Sequence, residues 1–389
     1  MKILVVGGNT QNKGAYLMLV AVLQQARQYI KDVELVVSPY AGDKKTLSKL
    51  GYKILDYPLV HVGGGRKFSM ALKWPTIVRA KEILKRRSIS GEVAISEIAL
   101  VLDISGFAYS DQFGSSPIAN LKLQVEFFHK KGIPYVMMPQ ALGPFDDNNS
   151  ELMRQATELA AFIFARDKSS YSKILATNTT ATVHQYPDIT LSLSATVAPS
   201  TTGPSVQNYV CIVPNSQMLR KAGENWKANY VEVLQKIGHL ILKESNYKIM
   251  VLIHSVSGGG DEQISRELTN QLGQTSRVVL YTHEDPLVLK SVLKGADLVV
   301  ASRFHALASS LSSDTPSVAI SWAHKYEELF KEYGVAEHCH REISDELYKS
   351  VLTLLDTNSQ QQMTDKLRDK NKSVADINAE MWSRIKGLI

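Results

Sequence analysis

Short apolar runs alternate with amphipathic stretches along most of the chain. The runs fall at residues 3–6, 33–37, 99–102, 135–138, 162–165, 209–213, 249–253, 278–281, 298–301 and 318–320. Between them, apolar side chains recur at the spacing of a helix, for example over residues 14–30 and 226–242. Near-continuous apolar strands separated by helices are typical of a parallel sheet with both faces covered. The pattern therefore predicts an α/β protein.

The alternation is interrupted once, at residues 195–207. This stretch reads ATVAPSTTGPSVQ and carries no charge, which is typical of a linker. We therefore predict two doubly wound, Rossmann-like domains at residues 1–195 and 208–340, joined by a linker at 196–207 and followed by a helical tail at 341–389. Each domain presents its ligand loops at the carboxyl ends of its strands. This layout resembles that of the GT-B glycosyltransferases.

Composition narrows the class of protein. The chain is 44% hydrophobic and 21% charged, which are ordinary values for a globular protein. Its two cysteines, Cys211 and Cys339, are too few for a disulfide framework or a four-cysteine zinc site. The first apolar run is shorter than a signal-peptide core, and no run is long enough to span a membrane. We therefore expect a cytoplasmic protein.

The net charge of +6 is concentrated in residues 66–87. This segment contains eight basic side chains and one acidic side chain, so the rest of the chain is nearly neutral. Phe68, Met70 and Trp74 lie among the cations. The segment is either a solvated basic helix or a contact with an anionic membrane surface or a lipid-phosphate acceptor. We predict peripheral contact with the inner face of the membrane and, because no motif supports it, no nucleic-acid partner.

The loop after the first strand, at residues 7–14, contains three glycines. It matches neither the G-x-G-x-x-G pattern of dinucleotide-binding proteins nor the Walker A loop. Its backbone N–H groups could cradle an anion or a sugar, next to Asn9 and Asn12. The alternative is a plain tight turn between a strand and a helix.

Three strands of the first predicted domain end in polar residues. Asp103 ends one strand and is followed by Ser105 and Tyr109, and Gln140 and Arg166 close the next two strands. All lie at the edge where an α/β sheet binds its ligand. The alternatives are turn or helix capping for Asp103 and an ion pair for Arg166.

The second predicted domain holds the most informative stretch. Arg303, Phe304 and His305 follow the strand at residues 298–301 and begin a helix, and His324 and Lys325 begin the next helix. A helix N-terminus attracts anions, and an arginine adds a bidentate clamp. The histidine places a proton donor beside that anion. The alternative is that these residues only cap their helices at the surface.

In combination, these stretches resemble the polysaccharide pyruvyl transferase family. The matching blocks are the loop at residues 7–16, DISG at 103–106, PQALGPF at 139–145, ARD at 165–167, SRFH at 302–305 and HKY at 324–326. They cover most of the span from residue 7 to residue 330. One departure is Gly14-Ala15, where the family often has Gly-Asp.

The resemblance implies an enzyme of GT-B fold that transfers the pyruvyl group of phosphoenolpyruvate to a sugar of a surface polysaccharide or its precursor. The product is a cyclic ketal, and phosphate is released. The resemblance also implies that Arg166, Arg303 and His305 lie at the donor. The chemistry agrees, because two anionic groups need cationic clamps, for which Arg166, Arg303 and Lys325 are candidates. Protonation of the methylene needs a general acid, for which His305 is the best placed.

The remaining roles follow from position along the chain. Asp103 is our candidate base for the sugar hydroxyls, and His324 is the alternative. We also place Phe304, His324 and Lys325 at the donor. We place five residues of the first domain at the acceptor: Asn9, Asn12, Ser105, Tyr109 and Gln140. Neither chemical step requires a metal, so we expect no cofactor besides phosphoenolpyruvate as co-substrate. The expected partner is a glycan acceptor, either lipid-linked or a free polymer.

Two other functions are compatible with the layout. A glycosyltransferase that uses a nucleotide sugar usually holds the ribose with a glutamate in the helix after the late strand of the second domain, but residues 304–313 contain no acidic residue. A non-catalytic glycan-binding module has no need for two arginines and a histidine at a donor site. Both observations favour the pyruvyl transferase.

Overall fold

The computed structural model describes residues 1–56, 92–193, 208–254, 260–273 and 276–389. The predicted linker at 196–207 and the basic segment at 66–87 lie outside the described residues. The chain divides into two compact units. Unit 1 comprises Met1–Gln11, Met18–Ile189 and Ile377–Ile389, and unit 2 comprises Asn12–Leu17 and Thr190–Asp376.

Unit 1 contains a parallel seven-stranded sheet of order β3-β2-β1-β4-β5-β6-β7. Its strands are β1 (Lys2–Val6), β2 (Glu34–Val37), β3 (Lys53–Ile54), β4 (Ile98–Asp103), β5 (Tyr135–Gln140), β6 (Phe162–Ala165) and β7 (Val183–Gln185). The helices that begin in this part of the chain are α1 (Lys13–Tyr29), α2 (Lys44–Leu50), α3 (Ser116–His129), α4 (Asp147–Thr157) and α5 (Lys168–Leu175). The strand order reverses between β1 and β4, where an α/β sheet opens its ligand crevice.

Unit 2 contains a parallel six-stranded sheet of order β10-β9-β8-β11-β12-β13. Its strands are β8 (Tyr209–Val213), β9 (Lys248–Ile253), β10 (Val278–Thr282), β11 (Leu298–Ala301), β12 (Ser317–Ile320) and β13 (Cys339–His340). The helices are α6 (Met218–Lys221), α7 (Glu224–Glu244), α8 (Gly260–Gln271), α9 (Pro286–Lys294), α10 (Phe304–Leu311), α11 (His324–Glu332), α12 (Asp345–Thr353) and α13 (Thr357–Lys386). Here the order reverses between β8 and β11.

The apolar pattern explains both sheets. Every residue of the central strands β8, β11 and β12 is buried, as expected for strands that are covered on both faces. The predicted α/β fold with two Rossmann-like sheets is confirmed. Within the described ranges, no helix is both long and apolar enough to cross a membrane.

The end of α13 packs within unit 1. The indole N–H of Trp382 donates to Oε1 of Gln25 at 2.8 Å, and its ring stacks on Tyr29 at a centroid distance of 6.0 Å. Nε of Arg384 donates to the hydroxyl of Tyr186 at 2.7 Å. The last turns of the chain therefore contact α1 and the residue that follows β7.

Candidate active site

Polar side chains follow four neighbouring strands of unit 2 at the carboxyl edge of the sheet. His254 follows β9, Asn215 follows β8, Arg303 follows β11, and Lys325 lies in the first turn of α11, which follows β12. Because parallel strands share one carboxyl edge, residues that are distant in sequence meet there. This edge contains Arg303, Phe304, His305, His324 and Lys325, which the sequence predicted at the donor.

Arg303 is held by a carboxylate that the sequence analysis did not single out. Its Nε lies 2.6 Å from Oδ2 of Asp261, and its Nη2 lies 2.5 Å from Oδ1. Oδ1 also accepts the backbone N–H of Ser216 at 2.9 Å. Asp261 is 1% exposed and Arg303 is 23% exposed. The bidentate pair fixes the guanidinium, and Asp261 balances its charge.

The turn that carries Arg303 is fixed by buried hydrogen bonds to Ser302. The carbonyl oxygen of Ser302 accepts Nδ2 of Asn215 at 2.7 Å and the hydroxyl of Tyr326 at 2.8 Å. Its side-chain oxygen accepts the hydroxyl of Tyr230 at 2.8 Å. Three different elements thus set the position at which Arg303 and α10 begin.

His305 lies in the first turn of α10 and packs against the first turn of α1. A Cβ atom at residue 14 would lie 2.5 Å from Nδ1 of His305 and still closer to Cε1, so the imidazole fits only against a glycine. Oδ1 of Asn12 caps α1 by accepting the backbone N–H groups of Gly14 and Ala15 at 2.9 and 3.3 Å. Gly14, which the chain shares with the family's Gly-Asp pattern, therefore leaves room for the predicted general acid, and the departure from that pattern lies at Ala15.

Lys13 is a basic residue of this region that the sequence analysis missed. Its Nζ donates to the carbonyl oxygen of His283 at 2.7 Å. Burial lowers the pKa of Lys13 to about 8, and the carboxylates of Glu284 and Asp261 oppose this effect. Its position beside Gly14 in the first loop was the available signal.

His254 is the second basic residue that was missed. It is buried, and burial together with the positive charges of Arg303, His305 and Lys13 holds its pKa well below the usual value. His254 is therefore neutral at pH 7. The available signal was its place directly after the apolar run at 249–253, which is the same signal that drew attention to Arg166.

Lys325 lies among aromatic rings. Its Nζ is 5.2 Å from the ring centroid of Phe304, 5.6 Å from that of Trp322 and 5.7 Å from that of Tyr326. Cation–π attraction of this kind holds an ammonium group over the ring faces. Phe304 therefore supports Lys325, and its own role at the donor remains a prediction.

His324, the alternative base, is exposed. Its Nδ1 lies 3.4 Å from Oε2 of Glu327, and its Nε2 lies 3.0 Å from Oε1 of Glu328. Both ring nitrogens thus face a carboxylate. The role of His324 as a base remains a prediction.

In unit 1, Asp103 is completely buried and its carboxylate accepts four hydrogen bonds. Oδ1 accepts the backbone N–H and the hydroxyl of Ser105 at 2.9 and 2.5 Å, and Oδ2 accepts the hydroxyls of Tyr109 and Tyr135 at 2.7 and 3.1 Å. Burial raises the pKa of Asp103, and these hydrogen bonds oppose the shift. These four protein donors give Asp103 an anchoring position, and its role as the base remains a prediction.

The predicted acceptor residues are connected to the same anchor. Ser105 and Tyr109 bind the Asp103 carboxylate, and Nε2 of Gln140 donates to the carbonyl oxygen of Asp103 at 3.2 Å. Oδ1 of Asn9 accepts the backbone N–H of Gln11 at 3.1 Å and closes a local turn. The structure thus brings Ser105, Tyr109 and Gln140 together around Asp103, whereas Asn9 and Asn12 fall in different units.

Arg166 forms a buried ion pair within unit 1. Its Nη1 lies 2.9 Å from Oδ2 of Asp188, and both side chains are more than nine-tenths buried. The alternative reading of Arg166 as an ion-pairing residue therefore describes its geometry. The predicted donor residues are thus divided between unit 1, which contains Arg166, and unit 2, which contains the others.

The residues of the described ranges include no group of three or more His, Cys, Asp or Glu side chains that could hold a metal ion.

Solved structures with a similar fold cover nearly the whole chain. UDP-GlcNAc 2-epimerase from Neisseria meningitidis, bound to UDP-GlcNAc, has 11% identity and a TM-score of 0.59, with 97% of this chain and 99% of that chain covered. Anabaena HepE in complex with UDP and glucose has 16% identity and a TM-score of 0.59, with 99% of both chains covered. A Listeria monocytogenes protein assigned as a UDP-N-acetylglucosamine 2-epimerase has 10% identity and a TM-score of 0.61, with 94% and 90% covered.

At these identities the likeness shows the fold, which is that of the GT-B class with two Rossmann-like domains. A model of the polysaccharide pyruvyl transferase family matches residues 12–324, a span that includes Lys13, Asp103, Arg166, Arg303 and His305. The chain belongs to the polysaccharide pyruvyl transferase family and is a transferase. No curated protein matches the chain.

Proposed function

We propose that this protein transfers the pyruvyl group of phosphoenolpyruvate to two hydroxyl groups of a sugar in a polysaccharide or its precursor. The observation that carries the proposal is the Arg303-Phe304-His305 turn at the carboxyl end of β11, within the region that matches the family model. An arginine that is fixed by Asp261 and a histidine at the same helix start combine an anion clamp with a proton donor.

The reaction balances with one protein acid. A proton from His305 adds to the methylene carbon of phosphoenolpyruvate, and a sugar hydroxyl attacks the neighbouring carbon. The carbon–oxygen bond to phosphate breaks, and the second hydroxyl closes the ketal. Of the two hydroxyl protons, one restores His305 and the other leaves with phosphate. His305 thus serves as acid and then as proton acceptor, and the scheme needs neither Asp103 nor His324 as base.

The proposal gives unit 1 a different task. The Asp103 anchor holds Ser105 and Tyr109 at the carboxyl ends of β4 and β5, where an α/β sheet binds its ligand. The sugar acceptor is proposed to bind at this edge, which is supported by the predicted acceptor residues that gather there. Donor chemistry then rests on residues of unit 2.

The direct test is thermal stabilisation by candidate donors. Phosphoenolpyruvate at a hundred times its Kd stabilises a protein that binds it by about 2.7 kcal/mol. We expect this shift in the wild-type protein and its loss in Arg303→Ala. Because proteins of similar fold were crystallised with UDP, UDP and UDP-sugars form the second arm. Stabilisation by a UDP-sugar without any effect of phosphoenolpyruvate would replace the proposal with a glycosyltransferase.

A further inference from the structure

Neither the family match nor the sequence patterns assign a role to Lys13. Its backbone is one residue from Gly14, which contacts the imidazole of His305, and its ammonium group binds the carbonyl oxygen of His283. In the part of the chain that the structure describes, this carbonyl is its hydrogen-bond acceptor. An ammonium group has three N–H donors, so two of them have no protein acceptor there.

The charges around Arg303 call for a further cation. Asp261 takes two guanidinium nitrogens and balances the charge of Arg303. His254 is neutral at pH 7, since its pKa is held well below the usual value. Lys325 adds one positive charge, which is less than the negative charge of a donor that carries both a phosphate and a carboxylate. Lys13 lies close enough to His254 to affect its ionisation, and it supplies positive charge on the same side of the site.

We propose that Lys13 is a donor-binding residue that contacts the anionic phosphate or carboxylate of the donor beside His305. This inference rests on the proposed function and adds Lys13 to the cations Arg303 and Lys325 of its donor site. Lys13 is a substrate contact in this proposal, and His305 remains the acid.

The proposal makes donor binding depend on pH. The groups that face Lys13 are Glu284 after β10, Asp261 on α8 and His254 after β9, and through His254 it shares a cluster with Arg303 and His305. The pKa of Lys13 is lowered to about 8 without ligand. A bound anion stabilises the charged form, so binding takes up a proton when the pH is above this value. Donor affinity should therefore fall as the pH rises above about 8, by up to roughly tenfold per pH unit.

The test compares wild type, Lys13→Met, Lys13→Arg and the surface control Lys227→Met. Lys227 lies on α7 in an exposed pair with Glu224. Phosphoenolpyruvate and inorganic phosphate are titrated from about pH 7 to pH 10. We expect Lys13→Met to weaken binding by roughly 30-fold or more and to lose the pH dependence, because its charge is gone. Lys13→Arg should bind without the fall above pH 8, and Lys227→Met should match wild type.

Each outcome decides between the proposals. If wild type binds phosphoenolpyruvate and Lys13→Met binds it equally well with the same pH profile, the inference on Lys13 is wrong and the proposed function stands. If phosphate binds in a Lys13-dependent manner but phosphoenolpyruvate does not bind, the anion contact stands and the proposed donor is wrong. If wild type binds neither, both proposals are wrong. The Lys13→Arg variant distinguishes a role of the positive charge in binding from a role in folding. If Lys13 were purely structural, its replacement by arginine would not make donor binding independent of pH.

Discussion

Three buried aspartates of the described chain have two kinds of partner. Asp261 grips Arg303, Asp188 pairs with Arg166, and Asp103 accepts hydroxyl and backbone donors. A buried carboxylate is tolerated only when such donors replace its water. Arg303 remains 23% exposed in its pair whereas Arg166 is 8% exposed, so we propose that Arg303 is the arginine available to a ligand.

The two arginines should respond differently to substitution. Arg303→Ala removes a charge-assisted contact with the donor and is expected to lower kcat/KM by roughly 30–1000-fold. Arg166→Ala removes the guanidinium group from the buried carboxylate of Asp188, and we expect unit 1 to lose about 3–5 kcal/mol of stability. Urea unfolding and steady-state kinetics separate the two effects. A stable Arg166→Ala protein with greatly weakened donor binding would restore Arg166 to the donor site.

His305 is expected to act on turnover more than on binding. His305→Ala removes the proton donor, so kcat should fall by roughly 100-fold to 10,000-fold while the donor Kd changes little. Single-turnover kinetics with a donor titration measures both quantities. A variant that turns over normally and loses only donor affinity would make His305 a binding residue.

The raised pKa of Asp103 predicts the direction in which the stability of the protein changes with pH. Its pKa is raised in the folded protein, so the folded state favours the protonated acid. Wild type should therefore lose stability as the pH rises from the usual Asp range towards the raised value. The Asp103→Asn variant has no carboxyl group to titrate at this position. The unfolding free energy of the variant minus that of wild type should therefore increase as the pH rises. A difference that is independent of pH across this range would contradict the buried, shifted carboxylate.

The sequence predicted the candidate site residues that lie next to one another along the chain. It did not predict the residues that only the fold brings to them. Arg303 and His305 were predictable because they directly follow an apolar strand. Asp261 lies 42 positions away from Arg303, on a helix whose acidic residues look solvated in the sequence. The contact between Gly14 and His305 joins the first loop to a late helix, which only the folded chain shows.

At the scale of elements, hydrophobic pattern was sufficient for the long strands and helices. β6, β8 and β11 begin and end at the predicted residues because continuous apolar runs bounded by polar residues mark them clearly. β3, β7 and β13 were not predicted. They are two or three residues long and lie at or near the sheet edges, so they carry no apolar run long enough to detect.

The packing of α1 on α10 gives a prediction at this scale. Gly14→Ala places a methyl group where the His305 ring lies, so the ring must move. A displacement of about 1 Å costs on the order of 100-fold in rate, and we expect kcat to fall while the fold is retained. Gly223→Ala is the matched control, because a Cβ at residue 223 meets no atom within 4 Å. Equal kcat values for both variants and wild type would contradict the contact.

At the scale of the whole molecule, the ends of two helices group with different units. The first turn of α1 belongs to unit 2, and the last turns of α13 belong to unit 1. A sequence-based division of the chain at one linker does not predict that these helix ends group with the other unit. The grouping depends on long-range contacts such as that of Trp382 with Gln25. The predicted boundaries at residues 195 and 207 lie outside the described residues.

The basic segment at 66–87 also lies outside the described residues, and its role remains a prediction from charge. Each basic residue near an anionic surface contributes about 1 kcal/mol, and salt weakens it. We expect the protein to sediment with liposomes that contain anionic lipid at low salt, and to be released by high salt. The variant with Lys81, Lys85, Arg86 and Arg87 changed to Glu should not bind. A lack of binding by wild type at low salt would mean that the segment is a solvated surface.

We propose that this member of the family makes a pyruvate ketal from phosphoenolpyruvate. The most direct measurement incubates the protein with phosphoenolpyruvate and a panel of glycosides and quantifies released phosphate and sugar ketal together. We expect phosphate and ketal to form in equal amounts and only when an acceptor is present, and we expect His305→Ala to abolish both. Phosphate release without a ketal, or sugar transfer from a nucleotide sugar in the same panel, would contradict it.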